Sequence, residues 1–169
     1  MIRILYTIAL TMLLASCWPS RISFVDGTMP EEWKTFYVKT LDNNAPNTPL
    51  SYSATLSENL KDGIQNNTRL LLNNDATKAE IEIEGVITNY AITPVALQEG
   101  DNAAQNRLTV SVSFNIFVLQ PEEDNMTLIS SRFIDYDSNT DLGIVETQLL
   151  EEVNGQIVQD VINKLLSNW

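Results

Sequence analysis

The chain has 169 residues, 44% of them hydrophobic and 8% aromatic, which is the composition of one ordinary globular domain and not of a disordered chain. Ten basic residues stand against 22 acidic ones, a formal charge of −12 with a pI near 4.2, and such a surface repels phosphate backbones and argues against nucleic acid as a partner. There is no histidine and one cysteine, which removes Ser-His and Cys-His nucleophiles, His-ligated metals, internal disulfides and iron–sulfur clusters.

Arg3 precedes a mostly apolar run, Ile4 to Leu14, interrupted by Tyr6, Thr7 and Thr11. That run has the length of a signal-peptide core and falls short of the ~20 residues that a spanning helix needs. It ends in Leu14-Ala15-Ser16-Cys17, which resembles a bacterial lipobox, where the Cys is acylated and becomes the first residue of the mature protein. Residues 1–16 are expected to be a cleaved signal peptide, residues 17–32 a lipidated tether and residues 33–169 the folded domain. The plainer alternative is an ordinary secretory signal with a stray or buried thiol. Acyl chains anchor at ~0.8 kcal/mol per buried CH₂, so attachment at Cys17 asks nothing of the domain. Trp18-Pro19-Ser20-Arg21 has neither an Asp directly after the Cys nor an acidic cluster, which points to the periplasmic face of the outer membrane.

Trp33 to Leu41 is rich in β-formers and reads as a strand. Asn43 to Pro49 is a loop. Ser51 to Asn66 reads as a helix, with Tyr52, Leu56, Leu60 and Ile64 at four-residue steps and Ser51 or Ser53 as cap. Thr68 to Leu72 is a brief extended piece. Ala79 to Thr93 is a long strand whose alternation blurs after Gly85, where a bulge or bend is expected. Arg107 to Leu119 is the cleanest strand, with Leu108, Val110, Val112, Phe114, Ile116 and Val118 on one face. Pro121 to Asn125 is a turn, and Met126 to Tyr136 returns as a hairpin partner. Leu142 to Leu166 is a long helix with two adjacent apolar rows. The order predicts an α+β fold, a two-layer sandwich with two helices packed on one face of a four-stranded, mostly antiparallel sheet.

If the even residues of 107–119 face the helices, Arg107, Phe117 and Leu119 face away. In the following strand Ile129 and Phe133 are expected inward, leaving Leu128, Arg132, Ile134 and Tyr136 outward. That outer face mixes hydroxyls with large apolar groups, as a docking surface would; an N-terminal segment folded over it is the alternative. Arg107 and Arg132 would lie there together, to pair with acids or to meet a phosphate-bearing ligand. Asp135, Asp137, Asn139, Asp141 and Glu146 have the spacing of an EF-hand-like calcium loop, but Thr140 stands where the sharp turn wants Gly. Strand-end turn and cap chemistry explains the same residues. Asp135 with Asp137 is the best carboxylate pair for glycoside hydrolysis, and the two are expected to point to opposite faces, so no enzyme is expected. A periplasmic calcium- or glycan-binding lipoprotein is the alternative function.

Cys17 is followed by Ile22-Ser23-Phe24 and Gly27, Asn44-Ala45-Pro46 and Leu60-Lys61-Asp62. Asn89-Tyr90, Thr93-Pro94-Val95-Ala96-Leu97 and Asn106-Arg107-Leu108-Thr109 come next, and Asp135-Tyr136-Asp137 precedes a helix ending in Asn168-Trp169. This ordered set resembles the LptE family of lipopolysaccharide-assembly lipoproteins over nearly all of the mature chain. The resemblance implies two helices on a four-stranded sheet, and a plug in the LptD-type β-barrel of the outer membrane that supports barrel assembly and lipopolysaccharide transport to the outer leaflet. It brings no catalytic residue and no cofactor. The acidic charge sits oddly with a polyanionic glycolipid, so direct contact would need Arg107, Arg132 or apolar groups.

Overall fold

The computed structural model describes residues 29–95 and 105–167; the expected signal peptide, Cys17, most of the expected tether, Ala96-Leu97 and the Asn168-Trp169 end lie outside them. Strands β1 (Thr35–Val38) and β2 (Asp42–Asn43) precede helix α1 (Tyr52–Asn67). Strand β3 (Leu71–Leu72) and a 3-10 turn (Ala76–Lys78) lead into β4 (Ile81–Val95), β5 (Gln105–Val118) and β6 (Asp124–Asp137). Helix α2 (Leu142–Leu166) closes the described chain and has the expected bounds.

The sheet has six strands in the order β3-β1-β4-β5-β6, with β2 also against β4. It is mixed: β4, β5 and β6 form the long antiparallel part, whereas β1 lies parallel to β3 and to β4, and β2 parallel to β4. The expected four-stranded, mostly antiparallel sheet is thus the right kind of layer with its parallel border missed. The border is parallel because α1 carries the chain back before β3 enters the sheet, as a helical crossover does. β1 falls within the strand expected over Trp33 to Leu41 and alternates in burial, but a period of two carries no information on whether a neighbour runs parallel or antiparallel.

β1 and β2 are one interrupted strand along β4. Lys39 N donates to Ile83 O and Asn44 N to Ile87 O, both at 3.0 Å, on either side of the break. Leu41 sits in the break, buried, and its N–H donates to Ser57 Oγ of α1 at 2.9 Å. Ser57 is in turn held by Ser53 O, so a break that would orphan a buried N–H is satisfied by the helix above it.

Both helices cover one face of the sheet. The even residues from Leu108 to Val118 are buried, as the alternation predicts, against Leu56, Leu60 and Ile64 of α1 and Val153, Ile157, Val161 and Leu165 of α2. The helices approach closely at Gly63, where a Cβ would stand 2.2 Å from Val158 Cγ1. α2 is capped by Asp141, whose side chain accepts from Gly143 N at 2.8 Å; Ser51, expected to cap α1, makes no side-chain cap bond. The bulge expected at Gly85 falls instead between Ile87 and Asn89, and Gly85 stays in the ladder opposite Phe114.

Candidate functional site

The face of the sheet turned away from the helices is the candidate site, and its composition follows from the register. β5 and β6 pair without interruption from Val118 opposite Asp124 to Gln105 opposite Asp137. Residues that face each other across the ladder share a side of the sheet. Thr109, Ser111 and Ser113 therefore form a hydroxyl stripe along β5, with Phe133, Ser131 and Ile129 beside them on β6 and Ala91, Asn89 and Val86 on β4. Ile129 is 77% exposed and Phe133 51% exposed. Arg107 lies flat on this face: its guanidinium carbon is 3.8 Å from the centre of the Phe133 ring, and Nε and Nη2 donate to Asp135 at 2.7 and 2.8 Å. Both carboxylate oxygens fix the guanidinium, and the guanidinium packs over the ring. The hydrogen bonds from Arg107 keep the Asp135 carboxyl below its usual range against partial desolvation.

This register corrects the expected facing of β6. Arg107 and Phe117 point outward as expected. Ile129 and Phe133, expected in the core, are exposed, whereas Tyr136 is buried and Leu128, Ile134 and Arg132 are half-buried on the helix side. Arg107 and Arg132 thus lie on opposite faces, each paired with an acid. Arg132 grips Asp160 of α2 through Nε at 2.8 Å and Nη2, and Ser130 Oγ donates to the same carboxylate at 2.6 Å. Sequence reasoning missed this cluster. Ser130 and Arg132 are polar members of the inward row of β6, and only Asp160, from a distant helix, makes them compatible with it.

Burial opposes ionisation of Asp160, but the hydrogen bonds from Arg132 and Ser130 outweigh it and the carboxyl titrates below its usual range. A group depressed in the folded state stabilises above its unfolded pKa of about 3.9 and loses that contribution as pH falls through the folded value. Asp160→Asn is therefore expected to melt below wild type at pH 7, the gap closing as pH falls below about 4. Melting curves across this range check it; a gap independent of pH would mean that the charge of Asp160 contributes nothing.

The five residues with calcium-loop spacing do not converge. Asp135 is held by Arg107, Asp137 accepts from Asn139 N and Nδ2, Asp141 caps α2 and Glu146 accepts from Tyr90 OH. Among the described residues no three His, Cys, Asp or Glu side chains are grouped to hold a metal ion. Asp135 and Asp137, two apart on one strand, share the outer face, against the expectation of opposite faces. Their oxygens are engaged by Arg107 and by the Asn139 turn.

Two other features stand outside the sequence reading. A groove of about 600 Å³ runs between the helices, over Leu150, Val158 and Ile162, with Asp62, Glu146 and Glu151 on its rim. At its floor Tyr52 OH donates to Asn154 Oδ1 at 2.7 Å, both side chains buried. No described helix is long and apolar enough to cross a membrane.

The family model described as LptE, lipopolysaccharide-assembly, matches residues 33–165. No curated protein matches the chain. Among solved structures, the chain is similar to uncharacterized lipoprotein B from Nitrosomonas europaea, with 18% identity over 83% of this chain and 86% of that one and a TM-score of 0.52. It is also similar to a protein from Xanthomonas campestris, with 9% identity over 82% and 87% and a TM-score of 0.50. A minor lipoprotein from Acinetobacter baumannii follows at 19% identity, 80% and 94% coverage and a TM-score of 0.48. At such identities the likeness is one of fold.

Proposed function

The chain belongs to the LptE family, which acts in lipopolysaccharide assembly, and from that premise we propose an outer-membrane lipoprotein that plugs and supports the assembly of an LptD-type β-barrel. Acylation at Cys17 anchors it on the periplasmic side, and it assists lipopolysaccharide transport to the outer leaflet. The observation that carries the barrel reading is the outer face, which no described element covers. The lumen of a large barrel is polar, and a hydroxyl stripe with two flanking apolar anchors suits such a wall better than it suits bulk water. Phe133 already packs under the Arg107 guanidinium, so part of its ordering cost is met before a partner covers it. Direct contact with lipopolysaccharide through Arg107 or Arg132 would have to displace Asp135 or Asp160, which ranks ligand binding below barrel docking in this reading.

Ile129→Asp with Phe133→Asp, in the full lipidated chain, is expected to abolish co-purification with the barrel from outer membranes in mild detergent. Circular dichroism should stay unchanged, because both side chains are exposed. Undiminished co-purification would remove this face from the interface, and recovery of the wild type as a lone monomer would remove the barrel reading itself.

A further inference from the structure

We propose that the outer edge of β6 receives an extended strand from a different polypeptide, one with basic residues at both ends of the paired stretch. This goes beyond docking of the outer face and does not depend on it, since it concerns the backbone at the sheet's rim.

β6 ends the sheet, and among the described residues no strand pairs with its far side. In an antiparallel ladder about half of an edge strand's N–H and C=O groups point away from its only neighbour. Proteins usually blunt such an edge with Pro, Lys, a bulge or brevity. β6 uses none of these. It runs for 14 residues (DNMTLISSRFIDYD) without Pro, Gly or Lys, and its register with β5 never shifts. Its one protective charge is the inward-turned Arg132, which is paired with Asp160 on the helix side. Ile129 and Phe133 stand exposed along the rim, as apolar partners for alternate side chains of an incoming strand.

Charge decides the occupant. The strand begins just after Glu122-Glu123 with Asp124 and ends in Asp137, while Asp135 beside that end is already paired with Arg107. Two copies paired antiparallel about Ser130 or Ser131, with their faces matched, would bring the acidic start of each against the acidic end of the other. Like charges across a ladder destabilise it, and each chain also carries −12 overall. A foreign strand with Lys or Arg at each end meets complementary charge instead.

The test uses the full chain and a synthetic strand of β6's length, Thr and Val alternating between a Lys pair at each end. Binding should slow hydrogen exchange within residues 124–137 and leave the other strands unchanged. Replacing the Lys pairs by Glu should raise Kd by about tenfold or more. N-methylating alternate residues, on the side offered to the edge, should abolish binding while keeping every side chain. Equal binding by the methylated strand, exchange slowed elsewhere, no binding at all, or a chain already dimeric through β6 would each overturn the proposal. None of these readouts depends on co-purification with a barrel, so they fail separately from the outer-face reading.

Discussion

Tyr136→Asp is expected to cost on the order of 3–5 kcal/mol, enough to unfold a marginal domain, while Phe133→Asp, three residues earlier on the same strand, should cost only about 1–2 kcal/mol, from the Arg107 contact and the strand propensity that it loses. Tyr136 is 9% exposed and belongs to the continuous core; Phe133 is 51% exposed on the other face. A carboxylate at position 136 would be desolvated without a cation to meet it. It would also lie in the neighbourhood of Tyr90 and so of Glu146, the acid to which Tyr90 donates. Burial, followed by the Glu146 contact, already pushes the Tyr90 hydroxyl well above its ordinary pKa, and both causes act in the same direction on a carboxylate nearby. Urea denaturation of the two variants side by side is the measurement. Equal midpoints would mean that β6 does not present its even residues to the helices.

The same strand shows how far the pattern could be read. On β5 six even residues are all apolar, no polar group interrupts them, and the facing follows from alternation alone. On β6 the inward row is Met126, Leu128, Ser130, Arg132, Ile134 and Tyr136. Its apolar members outnumber those of the outward row, but Ser130 and Arg132 sit in the middle and mask the period. Their compensation comes from Asp160, in an element whose placement no local window contains. The long helices were legible because each buries one stripe over many turns. β3 falls within the extended piece expected over Thr68 to Leu72, but its partner was not legible, and β2, at two residues, was not legible at all, since both exist only through backbone bonds to β1 and β4. Of the outward residues expected within β5 and β6, only Arg107 and Phe117, from the strand with a clean period, lie on the candidate face, and none of Leu128, Arg132, Ile134 and Tyr136, from the strand whose period is broken.

Gly85→Val is expected to cost about 3 kcal/mol, the upper part of the range for overpacking a core. Gly85 breaks no ladder. It lies opposite Phe114 in an unshifted stretch of β4, and the residue missing there is replaced by the neighbours: a Cβ would stand 2.5 Å from Leu41 Cδ2 and 2.8 Å from Phe114 Cδ1. The aromatic ring thus fills the space above the glycine, which removes the usual penalty of an unfilled site in a strand. Leu41 cannot withdraw freely, because its N–H is fixed to Ser57 Oγ, nor can Phe114, which is fully buried. Valine's β-propensity is worth at most about 1 kcal/mol and does not offset the clash. Phe114→Leu alone should also destabilise, through the cavity it leaves over Gly85. Combined, the two substitutions exchange volume across one contact, so their costs should fall short of additive by about 1 kcal/mol or more, as coupled neighbours do. A double-mutant cycle by urea denaturation measures that coupling. Strict additivity would show that ring and glycine pack independently, and a neutral Gly85→Val would show that Leu41 and Phe114 yield to the added side chain.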